Sequence, residues 1–134
     1  MGPFGKIKNM KTLLIDDDEL VRDSLRMAFL IKGCFLMTVE SAEEGLIVLK
    51  KNNFDIIISD FELPGMNGLD FFKHVSIYQT DTANVLISGK IGREKLSIKN
   101  KSTIHDFVQK PFSATALAHT LAALTENKNR ISKI

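Results

Sequence analysis

DIIISDFELPGMNGLDFFKHVSIY, residues 55–78, begins as one kind of element and ends as another. The run at Ile56, Ile57 and Ile58 is unbroken rather than alternating, which suits a strand covered on both faces, as in a parallel sheet. Later, Phe71, Phe72, Val75 and Tyr78 return on one side of a helical wheel. Between the strand and the helix stands Asp60.

The same alternation extends in both directions. TLLI (12–15), NVLIS (84–88) and DFVQ (106–109) read as further buried strands, and CFLMTV (34–39) as a more ambiguous fifth. Residues 19–31 place Val21, Leu25, Ala28 and Phe29 on one helical face, and Gly33 stops that helix. Ser41 and Glu44 form a capping box ahead of SAEEGLIVLKK. The last helix follows Pro111, with Ser113 as N-cap and Leu117, Leu121 and Leu124 as its stripe. The stretch 89–103, GKIGREKLSIKNKST, is predicted as a short fourth crossover helix, interrupted by Gly92 and carrying only Ile91, Leu96 and Ile98. Strand and helix thus alternate about five times, which predicts an α/β doubly wound five-stranded parallel sheet with helices on both faces.

Composition narrows the class. The chain has 134 residues, 44% of them apolar and 25% charged, which fits one globular domain with a sizeable core. The reading divides it into a flexible leader over 1–10, a domain over 11–125, and a polar tail or linker start over 126–134. No apolar run reaches the roughly 20 residues of a membrane span, and the start lacks an apolar signal region. The lone Cys34 reads as a small buried side chain, and cytoplasmic localisation is expected. Residues 1–88 hold nine basic and thirteen acidic side chains, a net −4, whereas residues 89–134 hold nine and three, a net +6. Lys90, Arg93, Lys95, Lys99 and Lys101 face only Glu94 in the basic stretch, which suits an acidic partner.

In such folds, ligands bind beyond the carboxyl ends of the strands. Asp16 and Asp17 end the first strand, Asp60 the third, Ser88 the fourth and Lys110 the last. Three convergent carboxylates make a hard oxygen site suited to Mg²⁺. A nearby lysine and hydroxyl would hold the oxygens of a phosphoryl group, and phosphoryl transfer needs this combination of acceptor, metal and cation. Asp18 and Glu19 belong instead to the next helix's N-terminus, where negative charge is favoured.

LLIDDDELVRDSL, DIIISDFELPGMNGLDFF, VLISGK and HDFVQKPF together resemble, in order and spacing, the four signature blocks of response-regulator receiver domains, from about Lys11 to Thr125. The resemblance implies a flavodoxin-like sheet of order 2-1-3-4-5. It implies that Asp60 is the phosphoacceptor, that Asp16 and Asp17 hold Mg²⁺, and that the backbone carbonyl of Glu62 is a further ligand. It also implies that Lys110 pairs with the phosphoryl group and that Pro111 follows a cis peptide. Ser88 and Phe107 match the switch positions, Pro64 and Gly65 shape the turn after the acceptor, and Glu62 with Lys90 matches positions that tune the lifetime of the phosphoryl group. The implied partners are a sensor histidine kinase or phosphotransfer protein as donor and an output partner on the face of residues 90–124.

Two alternatives stand beside it. LLIDDDEL and VLISG also resemble motifs of haloacid-dehalogenase-type phosphohydrolases, with Asp16 as nucleophile and Asp18 as acid/base. There Leu20 stands where Thr or Val is usual, and after Lys110 the only acid is Glu126. The other alternative is a degenerate receiver that binds partners without phosphorylation. Direct nucleic-acid binding is not expected, since no helix-turn-helix follows the last block.

Overall fold

A computed structural model describes residues 2–79, 81–89 and 103–132. Its elements run α1 (Pro3–Lys6), β1 (Lys11–Ile15), α2 (Glu19–Ile31), β2 (Phe35–Val39), α3 (Ala42–Lys51), β3 (Ile56–Asp60), α4 (Gly68–Tyr78), β4 (Ala83–Ser88), β5 (Asp106–Gln109) and α5 (Ala114–Ser132). The five strands form one parallel sheet in the order β2-β1-β3-β4-β5, as the resemblance implies. β3 and β4 are buried along their whole length, which is why their sequences do not alternate. The predicted helix at 89–103 falls almost wholly on residues outside those described.

Each face of the sheet has its own apolar layer. Leu14, Ile56, Ile58, Val85 and Ile87 face Leu25 and Phe29 of α2 and Leu117 and Leu121 of α5. Leu13, Ile15, Ile57 and Leu86 face Leu49 of α3 and Phe71, Phe72 and Val75 of α4. α2 ends in a Schellman motif: Gly33 takes φ +71°, its N–H donates to the Leu30 carbonyl at 3.0 Å, and the Cys34 N–H donates to the Phe29 carbonyl at 2.8 Å. The capping box at α3 differs from the expected one. Ser41 Oγ accepts the Glu44 N–H at 3.1 Å, but the Glu44 carboxylate reaches one residue further back, to the Glu40 N–H at 3.3 Å.

Both ends of the chain carry secondary structure that their reading as leader and tail did not specify. Pro3–Lys6 is a helical turn whose Phe4 and following Ile7 are 7% and 1% exposed. The Phe4 ring meets Phe29 edge-on at 5.5 Å, the Cys34 thiol donates to the Phe4 carbonyl at 3.4 Å, and Lys6 pairs with Glu126. Two apolar residues in a short polar segment suffice to dock it, because the gap between the ends of α2 and α5 would otherwise expose core. At the other end, α5 continues as helix to Ser132, well beyond residue 125.

Candidate functional site

The charged groups gather where the strands end. The Asp16 N–H still donates to the Val39 carbonyl of β2 at 3.2 Å, so the backbone leaves β1 only after Asp16 has been placed at the sheet edge. Asp18 then caps α2, its Oδ1 accepting the Leu20 N–H at 2.9 Å. Between them Asp17 is exposed, whereas Asp16 is fully buried. Asp60 ends β3 at 6% exposure. Lys110 follows β5, its N–H donating to the Ser88 carbonyl at 2.9 Å, and its peptide bond to Pro111 is cis.

Lys110 Nζ lies 3.2 Å from Asp60 Oδ2 and 3.3 Å from Asp16 Oδ2. The first contact is a hydrogen bond; in the second the atoms are at ion-pair distance without hydrogen-bond alignment, so Asp16 Oδ2 is buried with no hydrogen-bond partner. Asp16 Oδ1 accepts the Asp18 N–H at 2.9 Å. Burial pushes the Asp16 carboxyl above the usual range against the pull of the Asp18 N–H and Lys110. Burial also raises Asp60, with the neighbouring Asp16 charge adding to it and Lys110 opposing. Burial would lower Lys110, but the charges of Asp16 and Asp60 outweigh it and hold the ammonium above the ordinary lysine value.

One lysine therefore shares two buried carboxylates, with a third beside them. Oxygens of Asp16, Asp17 and Asp60 lie within 4.8 Å of one another. The donors are all hard oxygens, two of the carboxyls resist ionisation, and one buried oxygen lacks a hydrogen bond. A small divalent cation fits this set, since it would offset the like charges and give Asp16 Oδ2 a partner.

Other expected site residues occupy the surrounding positions. Ser88 ends β4, fully buried, one step beyond the Asp60–Ile87 pairing, so it lies at the same sheet edge. Phe107 of β5 pairs with Leu86 and is buried in the layer that holds Phe71 and Phe72. Glu62 is exposed, two residues beyond Asp60. Gly65 takes φ +78° in the following turn. Lys90 lies outside the described residues. The phosphohydrolase alternative gains no support, because Asp18, its acid/base, is the N-cap of α2.

Two residues near the site were absent from the sequence reading. Gly68 packs so closely under β3 that a Cβ there would lie 2.4 Å from the Asp60 carbonyl oxygen and 2.8 Å from Leu86 Cδ1. Arg22 donates from Nη1 to the Asp16 carbonyl at 2.9 Å. Its available signal was a charge on the buried face of α2, three and seven residues before Leu25 and Phe29.

A family model described as the response regulator receiver domain matches residues 12–122. The sensory/regulatory protein RpfC of Xanthomonas campestris pv. campestris is 28% identical over 131 residues, which cover 95% of this chain and 18% of that protein. Chemotaxis protein CheY-3 of Vibrio cholerae is 27% identical over 124 residues, covering 89% of this chain and 94% of the relative. The structure of chemotaxis response regulator CheY4 of Vibrio cholerae superposes with a TM-score of 0.76 at 27% identity, covering 86% and 98% of the two chains.

Proposed function

The chain belongs to the response regulator receiver domain family, and from that membership we propose that Asp60 accepts a phosphoryl group from a sensor histidine kinase or phosphotransfer protein. A carboxylate oxygen of Asp60 forms a bond to phosphorus as the bond from phosphorus to the donor imidazole breaks, leaving an aspartyl phosphate and a neutral histidine. Lys110, already 3.2 Å from Asp60 Oδ2, turns to a phosphoryl oxygen. The Ser88 hydroxyl, at the same sheet edge, donates to another and thereby shifts with Phe107 toward the activated arrangement. Such a shift requires the phosphoryl group to interact better with the activated state than with the other. Asp16, Asp17, Asp60 and the Glu62 carbonyl would hold Mg²⁺, which supplies positive charge for the transferring phosphoryl oxygens.

The observation that carries this reading is the single Lys110 ammonium shared by Asp16 and Asp60 beside Asp17. Incubation with acetyl phosphate and Mg²⁺, followed by intact-mass measurement, tests it. Wild type gains one phosphoryl mass and Asp60→Asn gains none; equal labelling of Asp60→Asn, with the group on Asp16, overturns it.

The output partner binds the face of residues 90–124, and the basic run from Lys90 to Lys101 favours an acidic surface. Glu62 and Lys90, each two residues past a site residue, set the lifetime of the aspartyl phosphate, as an ion pair or with Glu62 repelling the phosphoryl charge or orienting the hydrolytic water. Cytoplasmic placement accords with a lone, buried, free cysteine. Among the described residues no helix is long and apolar enough to cross a membrane.

A further inference from the structure

We propose that Arg22 is a positioning residue for the acidic site, holding the peptide plane between Asp16 and Asp17 so that both carboxylates face a common cation. The inference rests on the Mg²⁺ reading above and adds a residue to it. Arg22 is 9% exposed, on the side of α2 that faces the sheet. Its Nη1 donates to the Asp16 carbonyl oxygen at 2.9 Å, and its Nη2 meets Glu40 Oε1 at 3.3 Å.

The Asp16 carbonyl belongs to the same rigid plane as the Asp17 N–H. Its direction therefore sets where the chain turns between the two ligands. Besides the Lys110 ion pair, hydrogen bonds hold Asp16 at three points: its N–H by Val39, its Oδ1 by Asp18, and its carbonyl by Arg22. Two of these contacts bear on Asp17, whose exposed side chain is aimed by its backbone: the Asp18 N–H bond closes a turn across it, and the Arg22 bond fixes the peptide plane that leads into it. Glu40 fixes the other end of the guanidinium. It stands in the β2–α3 connection, where its own N–H is bound by Glu44, so the anchor is itself held. A planar fork can serve a carbonyl and a carboxylate together; a lysine ammonium at the end of a flexible stem cannot match both.

A purely structural arginine would behave differently. Met fills similar volume without charge; Glu40, its side chain 66% exposed, stays hydrated when the arginine is lost, so the cost falls on the one hydrogen bond to the Asp16 carbonyl. Arg22→Met is therefore expected to fold while losing aim at the site. Calorimetric titration of the full chain with Mg²⁺ is expected to give a Kd about tenfold weaker in Arg22→Met, the scale on which outer partners of metal ligands act. Arg22→Lys, which keeps one donor, is expected within about threefold of wild type. Acetyl phosphate labelling at saturating Mg²⁺ recovers in both variants, because Asp60 and Lys110 are untouched. A wild-type Kd in folded Arg22→Met overturns the proposal while leaving the receiver reading intact. If Arg22→Met fails to fold, Glu40→Gln replaces it: Mg²⁺ binding about two- to threefold weaker supports the role, and wild-type affinity in Glu40→Gln overturns it. Absence of Mg²⁺ binding by wild type overturns this proposal together with the metal assignment beneath it.

Discussion

The two ends of the sheet are both buried, and burial works in opposite senses at each. Where the strands begin, Phe4, Ile7, Phe29 and Cys34 close the gap between α2 and α5 with apolar contact. Where the strands end, Asp16, Asp60 and Lys110 are packed with two like charges and one opposing one. The first end gains free energy from each atom removed from water, at about 25 cal/mol per Å². The second end loses it, because the carboxylates give up hydration that one lysine replaces only in part. A core that contributes to stability at one end allows an unfavourable charge cluster to persist at the other.

Mutation at the apolar end is expected to have the largest effect on stability. Ile7→Ala should cost about 2–4 kcal/mol, the range for truncating a fully buried aliphatic side chain. Urea unfolding measures the loss, and labelling of Asp60 in the folded fraction should be unchanged. A cost below about 0.5 kcal/mol would show that the first turn does not close the core.

Next comes the wall beneath the charged end. Gly68→Ala places a carbon 2.4 Å from a backbone oxygen of Asp60, and backbone cannot yield as a side-chain tip can. The expected cost is about 1–3 kcal/mol, with slower acetyl phosphate labelling because Asp60 must move. Unchanged labelling alongside reduced stability would mean that α4 shifts and Asp60 does not.

Asp60→Asn should act in the opposite sense. Without divalent metal at neutral pH it is expected to stabilise the fold by about 1 kcal/mol, or several degrees in Tm, by removing a charge that burial and Asp16 disfavour. The sign follows from the raised carboxyl pKa values. Ionisation opposes folding above the folded-state pKa, so this penalty fades as pH falls from neutrality toward the ordinary carboxylate range. The gap in Tm between Asp60→Asn and wild type should narrow on acidification, and also on adding Mg²⁺ at neutral pH. A gap that widens on acidification would reverse the assigned cause.

The smallest effect belongs to the Lys6–Glu126 ion pair. Both side chains are about half exposed, so Lys6→Ala should cost about 0–1 kcal/mol by thermal unfolding. A larger loss would move the docking of α1 from its apolar contacts to its charges.

Much of the charged end was legible from residue order. Asp16, Asp17, Asp60, Ser88 and Lys110 each end or follow a recognisable buried strand, and parallel strands bring such positions to one edge. The leader was less legible, because Phe4 and Ile7 lie in a segment too short for periodicity to show. Gly68 was passed over because its requirement is set by β3, which a local reading of α4 does not include.

The sequence by itself determined the βα alternation, the strand termini and the set of acidic and basic groups at one edge, since period, continuity and turn chemistry are local properties of the chain. The tertiary structure alone decided that Lys110 is shared by Asp16 and Asp60, that Arg22 turns inward to the Asp16 carbonyl, and that Phe4 and Ile7 close the far end. Those outcomes depend on distances between residues far apart in the chain. They are set by which groups lose water when α2 and α5 pack on one face of the sheet, and no local pattern encodes that loss.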